Sequence, residues 1–413
     1  MLRFHVTFLN ASPAGPTRRV GPSRPRHQGV VIPARRIFNQ DHDAFRSSVQ
    51  EFVARSVLPN ADSYVEKRGI PREFWLSAGA QGLLGLGIPE EFGGSGADDY
   101  LFNAVVAEEL AKVSAAIVSC WGIHADITAP YLVALGTNEQ KQRWLPGIAS
   151  GEILLAIGMT EPSGGSDLAA LKTTAVRDGN DWVINGSKTF ITNGFSADLV
   201  ITAARTSLDA GSRGITLFAI PADVEGFSRG RKLDKVGQDE ADTAELFFEN
   251  VRLSDDHVVG EVGRGFVHMM EKLPQERLGC AVSGVAHAKQ ILDETIEYTK
   301  QRRAFGQSVS SFQNSKFLIA EMVTKLEVTQ AYVDECLIAH AEGKLSAVEA
   351  AKAKWWSTDV QNDVIDTCVQ LHGGYGYMNE YRVARAWRDA RVTRIWAGTN
   401  EIMKELIGRE IGL

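Results

Sequence analysis

Cysteine is scarce: the 413-residue chain has four, Cys120, Cys280, Cys336 and Cys368, far apart and with no Cys-x-x-Cys pair. That argues against a disulfide framework or a zinc site and for a reducing compartment. The nine histidines show no metal-ligand spacing either, and His287 and His340 read as ordinary packed or surface residues. No apolar run approaches the length that crosses a bilayer, so a soluble protein without a membrane span is expected. Positive charge is in deficit, with 44 Lys and Arg against 51 Asp and Glu, and the net charge of −7 leaves no electrostatic footprint for nucleic acid. Also missing is a Gly-x-Gly-x-x-Gly that follows a strand and opens a helix, so a nicotinamide-type dinucleotide domain is not supported.

One lack is local. Residues 1–40 hold seven arginines and no acid; the first acidic residue is Asp41. Arg-rich, acid-poor N-termini can be organelle transit peptides, but Pro13, Pro16, Pro22 and Pro25 would interrupt an amphipathic helix. A presequence, a disordered tail and a start codon placed too far upstream all stay open. A bacterial cytoplasm is expected, or the mitochondrial matrix if the extension is a presequence.

What is present is 44% hydrophobic content, enough for a large core in two or three domains. From 41 to 152 the pattern is helical: Phe45, Val49, Phe52 and Val53 recur as one apolar stripe, and Val105, Val106 and Leu110 mark another helix after the Gly93–Gly96 loop. His124 and Trp121 here read as core. From 153 to 260 the period becomes that of strands, with Asn185-Gly186 as the turn of a hairpin between Trp182–Ile184 and Ser187–Thr192. Further strands are expected at Asp198–Ala203, Gly214–Ile220 and Ala244–Phe248. From 261 to 413 the chain is helical again, with Ile319, Met322, Leu326, Val333 and Leu337 spaced as a bundle seam. The order is helical, β, helical.

One stretch stands out: Lys272-Leu273-Pro274-Gln275-Glu276-Arg277-Leu278-Gly279. Pro274, lacking an amide donor, reads as the first residue of a helix, which puts Glu276 and Arg277 in the opening turn. Gly279, Ser283 and Ala286 follow on the same side, a strip of little bulk that suits a flat ligand. An acid in a first turn is also ordinary macrodipole chemistry.

Two strings carry more. Gly158-Met159-Thr160-Glu161-Pro162-Ser163-Gly164-Gly165-Ser166-Asp167 offers backbone and hydroxyl donors to a phosphate or a polar ring edge. Gln370-Leu371-His372-Gly373-Gly374-Tyr375-Gly376-Tyr377-Met378-Asn379-Glu380, followed by Arg385 and Asp389, lets a ligand approach the backbone closely. Both resemble the two signatures of the acyl-CoA dehydrogenase family, in the family's order, and the resemblance covers Asp41 to Leu413.

That resemblance implies an α+β fold: an N-terminal all-α domain, a middle β-sandwich or barrel-like domain and a C-terminal four-helix bundle. It implies a homotetramer, a dimer of dimers carrying FAD, that removes the α and β hydrogens of an acyl-CoA and passes electrons to electron-transfer flavoprotein. By position, Met159 and Thr160 resemble flavin-contacting residues, with Ser166 near both cofactor and substrate. Phe190, Ile191 and Thr192 resemble the segment beside the flavin ring. Arg302 is similar to the arginine that meets the FAD pyrophosphate of an adjacent subunit, work that suits a guanidinium. Phe305 and Gln313 match cofactor neighbours, as do Gln370, Leu371, Gly373 and Gly374, and Thr399 and Glu401 match the last cofactor-binding turn. Arg277, Trp396, Ala397 and Gly398 are implied to face the substrate.

The departure from the pattern is Ala397, where most of the family has its catalytic glutamate. The long-chain and isovaleryl members place that glutamate on the helix after the middle domain, where Glu276 stands here, and the surrounding strings look most like the long-chain type. The resemblance therefore implies dehydrogenation of medium- or long-chain acyl-CoA to trans-2-enoyl-CoA in fatty-acid β-oxidation. Glu276 would be the general base while a hydride passes to flavin N5. An isovaleryl or branched-chain dehydrogenase, a flavin oxidase or monooxygenase on the same scaffold, and a non-catalytic assembly protein are the alternatives.

Overall fold

The structure, a computed structural model, describes residues 35–413; most of the expected N-terminal extension lies outside them. Residues 36–413 form one compact unit. Seven helices come first: α1 (Gln40–Phe52), α2 (Ala61–Lys67), α3 (Arg72–Ala80), α4 (Leu101–Ala111), α5 (Ala115–Trp121), α6 (Ala129–Leu135) and α7 (Asn138–Ser150). Local chemistry sets several of their starts. The Asn39 side chain accepts from the amides of Asp41 and His42, while His42 reaches back to the Asn39 amide. Thr137 and Gln140 close the same box at α7. The expected stripe on α1 is buried at Val49 and Phe52, and Val53 continues it. His124 and Trp121 are core, as expected.

Eight strands then form one sheet: β1 (Leu155–Gly158), β2 (Thr174–Asp178), β3 (Asp181–Ile191), β4 (Leu199–Arg205), β5 (Ile215–Pro221), β6 (Phe227–Lys232), β7 (Ala244–Ser254) and β8 (Val258–Val259). Their order is β6-β7-β3-β2-β4-β5-β8, with β1 paired parallel to β4. The rings of Trp182 on β3 and Phe218 on β5 lie 5.7 Å apart although β2 and β4 separate those strands. Flat neighbours are spaced by about 4.8 Å each, so the sheet must curl to bring the two rings together. The barrel-like expectation holds.

The hairpin expectation needs correcting. Asn185 and Gly186 are not a turn; they lie inside β3, and the turn is Gly179-Asn180, joining β2 to β3. A local rule lost to tertiary pairing. Asn185 Oδ1 accepts the Asn250 amide of β7 at 2.9 Å, and the register against β7 slips between Ile184 and Gly186, a bulge. Gly186 is required for space and for its φ of 150°: a Cβ there would stand 2.7 Å from the Cα of Thr173.

The remaining helices are α8 (Gly265–Gln301), α9 (Gln313–Ala341), α10 (Ala347–His372), α11 (Arg382–Ala390) and α12 (Asn400–Glu410), with a two-stranded ribbon, β9 (Arg303–Ala304) and β10 (Gln307–Ser308), between the first two. The α9 seam is buried at Met322, Leu326, Val333 and Leu337. Here too an expectation fails: Pro274 does not begin a helix but lies inside the 37-residue α8. It has no N–H for the Met270 carbonyl, a local cost. Burial of Gly265, His268, Met269 and Leu273 at helical spacing carries α8 through it. Met269 packs in the core shared by α6, α7 and the sheet, whereas Leu278, Ala281 and Val282 pack in the core shared by the helical layers. Glu276 is thus held where one helix passes between two cores.

Gly186→Ala is expected to destabilise the protein by about 2 kcal/mol or more through backbone overpacking, whereas Asn185→Ser should cost well under half of that. Urea unfolding midpoints of the two variants check this.

Candidate active site

Glu276 lies in mid-helix, two residues beyond the proline, so the first-turn dipole does not act on it. Its side chain is 7% exposed, and its Oε1 accepts the Tyr131 hydroxyl of α6 at 3.1 Å. Burial pushes the carboxyl up to about 7; the Tyr131 hydrogen bond and the charges of Arg277 and Lys272 work against this, and Asp126 works with it. A group poised there accepts a proton and gives it up near neutral pH.

Arg277, also buried, turns toward the start of α12, its Nε 3.5 Å from the Ala397 carbonyl. Ala397 adopts a left-handed φ of 51°, costly for a residue with a Cβ. A buried lysine holds this turn: Lys354 Nζ donates to the Gly398 carbonyl at 2.7 Å and to Asn400 Oδ1 at 2.9 Å. Burial draws its ammonium down to about 8. Thr399 caps α12, its hydroxyl accepting the Ile402 amide at 3.3 Å. The Trp396 indole nitrogen is buried without a hydrogen-bond partner among the described residues. Arg277, Ala397 and Gly398 are therefore brought together, with Glu276 beside Arg277 on α8.

The first signature loop leaves β1 and folds over β3. Glu161 is nearly buried and takes the Lys172 amide at 2.6 Å, the Thr173 amide at 2.9 Å and the fully buried Lys188 ammonium at 2.8 Å. Lys188 also donates to the Met159 carbonyl at 3.2 Å, and the Thr189 amide to the Thr160 carbonyl at 3.0 Å. This network ties Met159 and Thr160 to the end of β3. There Phe190, at φ 59°, turns its ring outward, Ile191 is buried and Thr192 is half-buried. Ser166 is exposed.

Arg302, Gln370, Leu371, Gly373 and Gly374 form a third group, lining a cleft of about 550 Å³ with Tyr298 and His372. The Arg302 guanidinium lies 5.5 Å from the centre of the Tyr375 ring. Phe305, 96% exposed, Gln313 and Glu401 point outward from this chain.

Helices before and after a curled β domain, with a buried carboxyl on α8 and a Gly-Thr turn tied to the same helix through Arg277, are placed by comparison with known proteins. Models of the acyl-CoA dehydrogenase N-terminal, middle and C-terminal domains match residues 39–152, 156–251 and 263–412. A long-chain specific acyl-CoA dehydrogenase, mitochondrial, of Sus scrofa is 45% identical over 399 residues, 96% of this chain and 92% of the relative. An isovaleryl-CoA dehydrogenase, mitochondrial, of Solanum tuberosum is 36% identical, covering 91% of each. The crystal structure of an acyl-CoA dehydrogenase from Geobacillus kaustophilus superposes with a TM-score of 0.90 at 44% identity, over 92% of this chain and 100% of that one. The chain belongs to the acyl-CoA dehydrogenase family, FAD-dependent oxidoreductases.

Sequence reasoning missed Tyr131, Asp126, Lys354 and the Glu161–Lys188 pair. Tyr131 sits in an apolar helix and Lys188 in a strand whose alternation the Gly186 bulge disrupts, so neither carries a local signal. The strip of small residues after Glu276 also has another use than a flat ligand at Gly279, where a Cβ would stand 2.8 Å from Asp126 Oδ2.

The raised carboxyl predicts a stability signature. An unfolded chain loses the Glu276 proton near 4.5, the folded one near 7. Between these values the folded state holds the extra proton, so stability falls as pH rises through the window, by about 3 kcal/mol in total. Glu276→Gln removes that dependence. Its thermal midpoint should exceed that of the parent by a few degrees near pH 8 and by almost nothing near pH 5.

Proposed function

We propose that the chain catalyses α,β-dehydrogenation of medium- and long-chain acyl-CoA thioesters to trans-2-enoyl-CoA in fatty-acid β-oxidation, with Glu276 as the general base. The observation that carries the proposal is the pairing of a buried, neutral-range carboxyl with the Ala397 turn, joined through Arg277. Removing an α-proton from a thioester needs an acceptor that is unprotonated at working pH yet basic enough to take the proton. A solvated glutamate near 4.5 is too weak; one raised to about 7 suits the task.

The residues present fit FAD. The Arg302 guanidinium, the Gln370 amide and the unencumbered backbone of Gly373 and Gly374 suit a pyrophosphate of an adjacent subunit's cofactor, with Phe305 and Gln313 flanking. Met159, Thr160, Ser166, Phe190, Ile191 and Thr192 would hold its ring, and Thr399 and Glu401 its other edge. The chemistry FAD supplies when bound is two-electron acceptance from the substrate β-carbon.

The rest falls to the chain. Glu276 takes the α-proton. The Ala397 amide, on a turn fixed by Lys354, donates to the thioester carbonyl and stabilises the charge that develops there. Arg277 anchors that turn to α8 and, with Gly398, lines the CoA side. Trp396 borders the acyl pocket, its buried indole N–H without a hydrogen-bond partner among the described residues. The outward apolar rings of Phe305, Phe317 and Tyr377 support a homotetramer, in which they would be covered. Electron-transfer flavoprotein is the proposed electron acceptor. Among the described residues no helix is long and apolar enough to cross a membrane. A bacterial cytoplasm or, with residues 1–40 as presequence, a mitochondrial matrix is the proposed compartment.

Long chains are favoured over isovaleryl by the higher identity to the long-chain relative. Anaerobic bleaching of the flavin absorbance across short, branched and long acyl-CoAs tests this. Fastest bleaching by isovaleryl-CoA would move the substrate to the branched class, and stoichiometric peroxide without an added acceptor would make the enzyme an oxidase.

Glu276→Gln is expected to keep bound FAD and to lose about 10²- to 10⁴-fold in turnover. In the parent enzyme kcat/KM should rise with pH through a midpoint near 7, as Glu276 becomes free to accept the proton. A variant with near-full turnover rules out the assignment.

A further inference from the structure

The helix opposite Glu276 is irregular. From Gly122 to Thr128 the chain winds as a π-helix before it runs on into α6. Widened turns of this kind are frequent at functional sites, because they re-aim side chains that a regular helix would point elsewhere. Here Asp126 and Tyr131, five residues apart, both face α8.

Tyr131 reaches Glu276 directly, at 3.1 Å. Asp126 lies against the neighbouring stretch of the same helix. Gln275 Nε2 donates to its carbonyl at 2.8 Å and to its Oδ1 at 3.2 Å, and its Oδ2 occupies the space that a side chain at position 279 would need. Its other partners are the Tyr100 hydroxyl at 2.9 Å and Asn103 Nδ2 at 3.1 Å. Every donor is neutral, and among the described residues no Lys or Arg forms an ion pair with Asp126. A second buried carboxyl, without a counter-ion, therefore stands within a helical turn of the first.

We propose that Asp126 and Tyr131 are positioning residues that act on Glu276 in opposite senses, the Asp126 charge favouring the neutral acid and the Tyr131 hydroxyl favouring the carboxylate. The proposal rests on Glu276 being the base. It assigns the two groups to setting the pH at which the base becomes available, a balance that burial alone would tip too far.

The remaining charges near Glu276 come from its own helix, Arg277 and Lys272, and both favour the carboxylate. The Cys280 thiol, pushed up to about 11 by burial, stays neutral. The Tyr100 phenol is pushed up by burial and by Asp126 and stays protonated. Lys354 acts on Arg277 and Cys280 rather than on Glu276. Burial lifts Asp126 itself to about 6, so it is charged through most of the range in which Glu276 titrates, and the two carboxyls titrate as a coupled pair.

The test is an infrared titration of the FAD-loaded enzyme, following the carboxylic C=O band that Glu276→Gln abolishes. Asp126→Asn is close to isosteric and keeps a hydrogen-bonding group toward Tyr100, Asn103 and Gln275. It should move the Glu276 midpoint down by about half to one pH unit. Tyr131→Phe should move it up by a similar amount, and the kcat/KM profiles should follow in the same directions. Gly279→Ala, which crowds the Asp126 carboxylate away from α8, should shift the midpoint downward as Asp126→Asn does, and carries the test if Asp126→Asn fails to fold. Two midpoints that do not move, or that move together in one direction, overturn the proposal. If Glu276→Gln is inactive while the midpoints stay still, only the positioning roles fail. If Glu276→Gln keeps its turnover, the base assignment itself fails.

Discussion

The structure depends on keeping one ionisable carboxyl dry. Desolvating Glu276 is unfavourable, and no helix dipole offsets it: α8 passes through Pro274 and puts the residue in mid-helix, away from either end. What makes the position possible is the length of α8. Its first turns are buried against the sheet and its later turns against the helical layers, so the stretch between is carried into the interior by packing on both sides. The stability lost at the site is supplied by apolar burial elsewhere along the same helix.

The same economy explains Ala397. A carboxyl at that position would stand on the turn that Arg277 ties to α8, adding a further acid close to the helix that already bears Glu276. The alanine nevertheless adopts a left-handed backbone, a conformation costly for a residue with a Cβ that the contacts around the turn hold in place. Lys354 donates to the Gly398 carbonyl and to Asn400 Oδ1, while Arg277 ties the turn to the helix that bears the acid. In the proposed reaction the proton acceptor sits on α8 and the amide offered to the substrate carbonyl on the turn before α12, and Arg277 ties that turn to the helix.

How much of this was legible depended on the range of the interaction. Element type and order could be read because 3.6- and 2-residue periods are written locally, as in the Val49–Phe52 stripe or the α9 seam. Local signs misled where distant burial outweighed them. Pro274 looked like a helix start and Asn185-Gly186 like a turn; buried contacts of Met269 and Leu273 overrode the first, and the pairing of Asn185 with Asn250 the second. Glu276 was marked through the family resemblance and the complementary gap at Ala397. Tyr131, 145 positions away, was not marked at all, since no spacing in a chain records which helix will lie opposite.

A shifted carboxyl is not by itself a base, and the contrast among four buried acids shows why. Glu161 lies in a signature loop, yet Lys188 and two backbone amides overcome the effect of burial and hold it near 2, permanently charged and structural. Asp389 is lifted by burial, and further by Glu240, to about 7, as high as Glu276, but it receives the Gln238 amide and so fastens a loop to α11. Asp126 is saturated by three neutral side-chain donors. Glu276, like Asp389, takes a single hydrogen bond on its carboxyl among the described residues, from Tyr131, which leaves its second oxygen without one. Proton transfer needs a lone pair that the fold has not already used; Glu276 and Asp389 both keep one, and what sets Glu276 apart for the proposed role is its place on α8 beside Arg277, the residue that reaches the Ala397 turn.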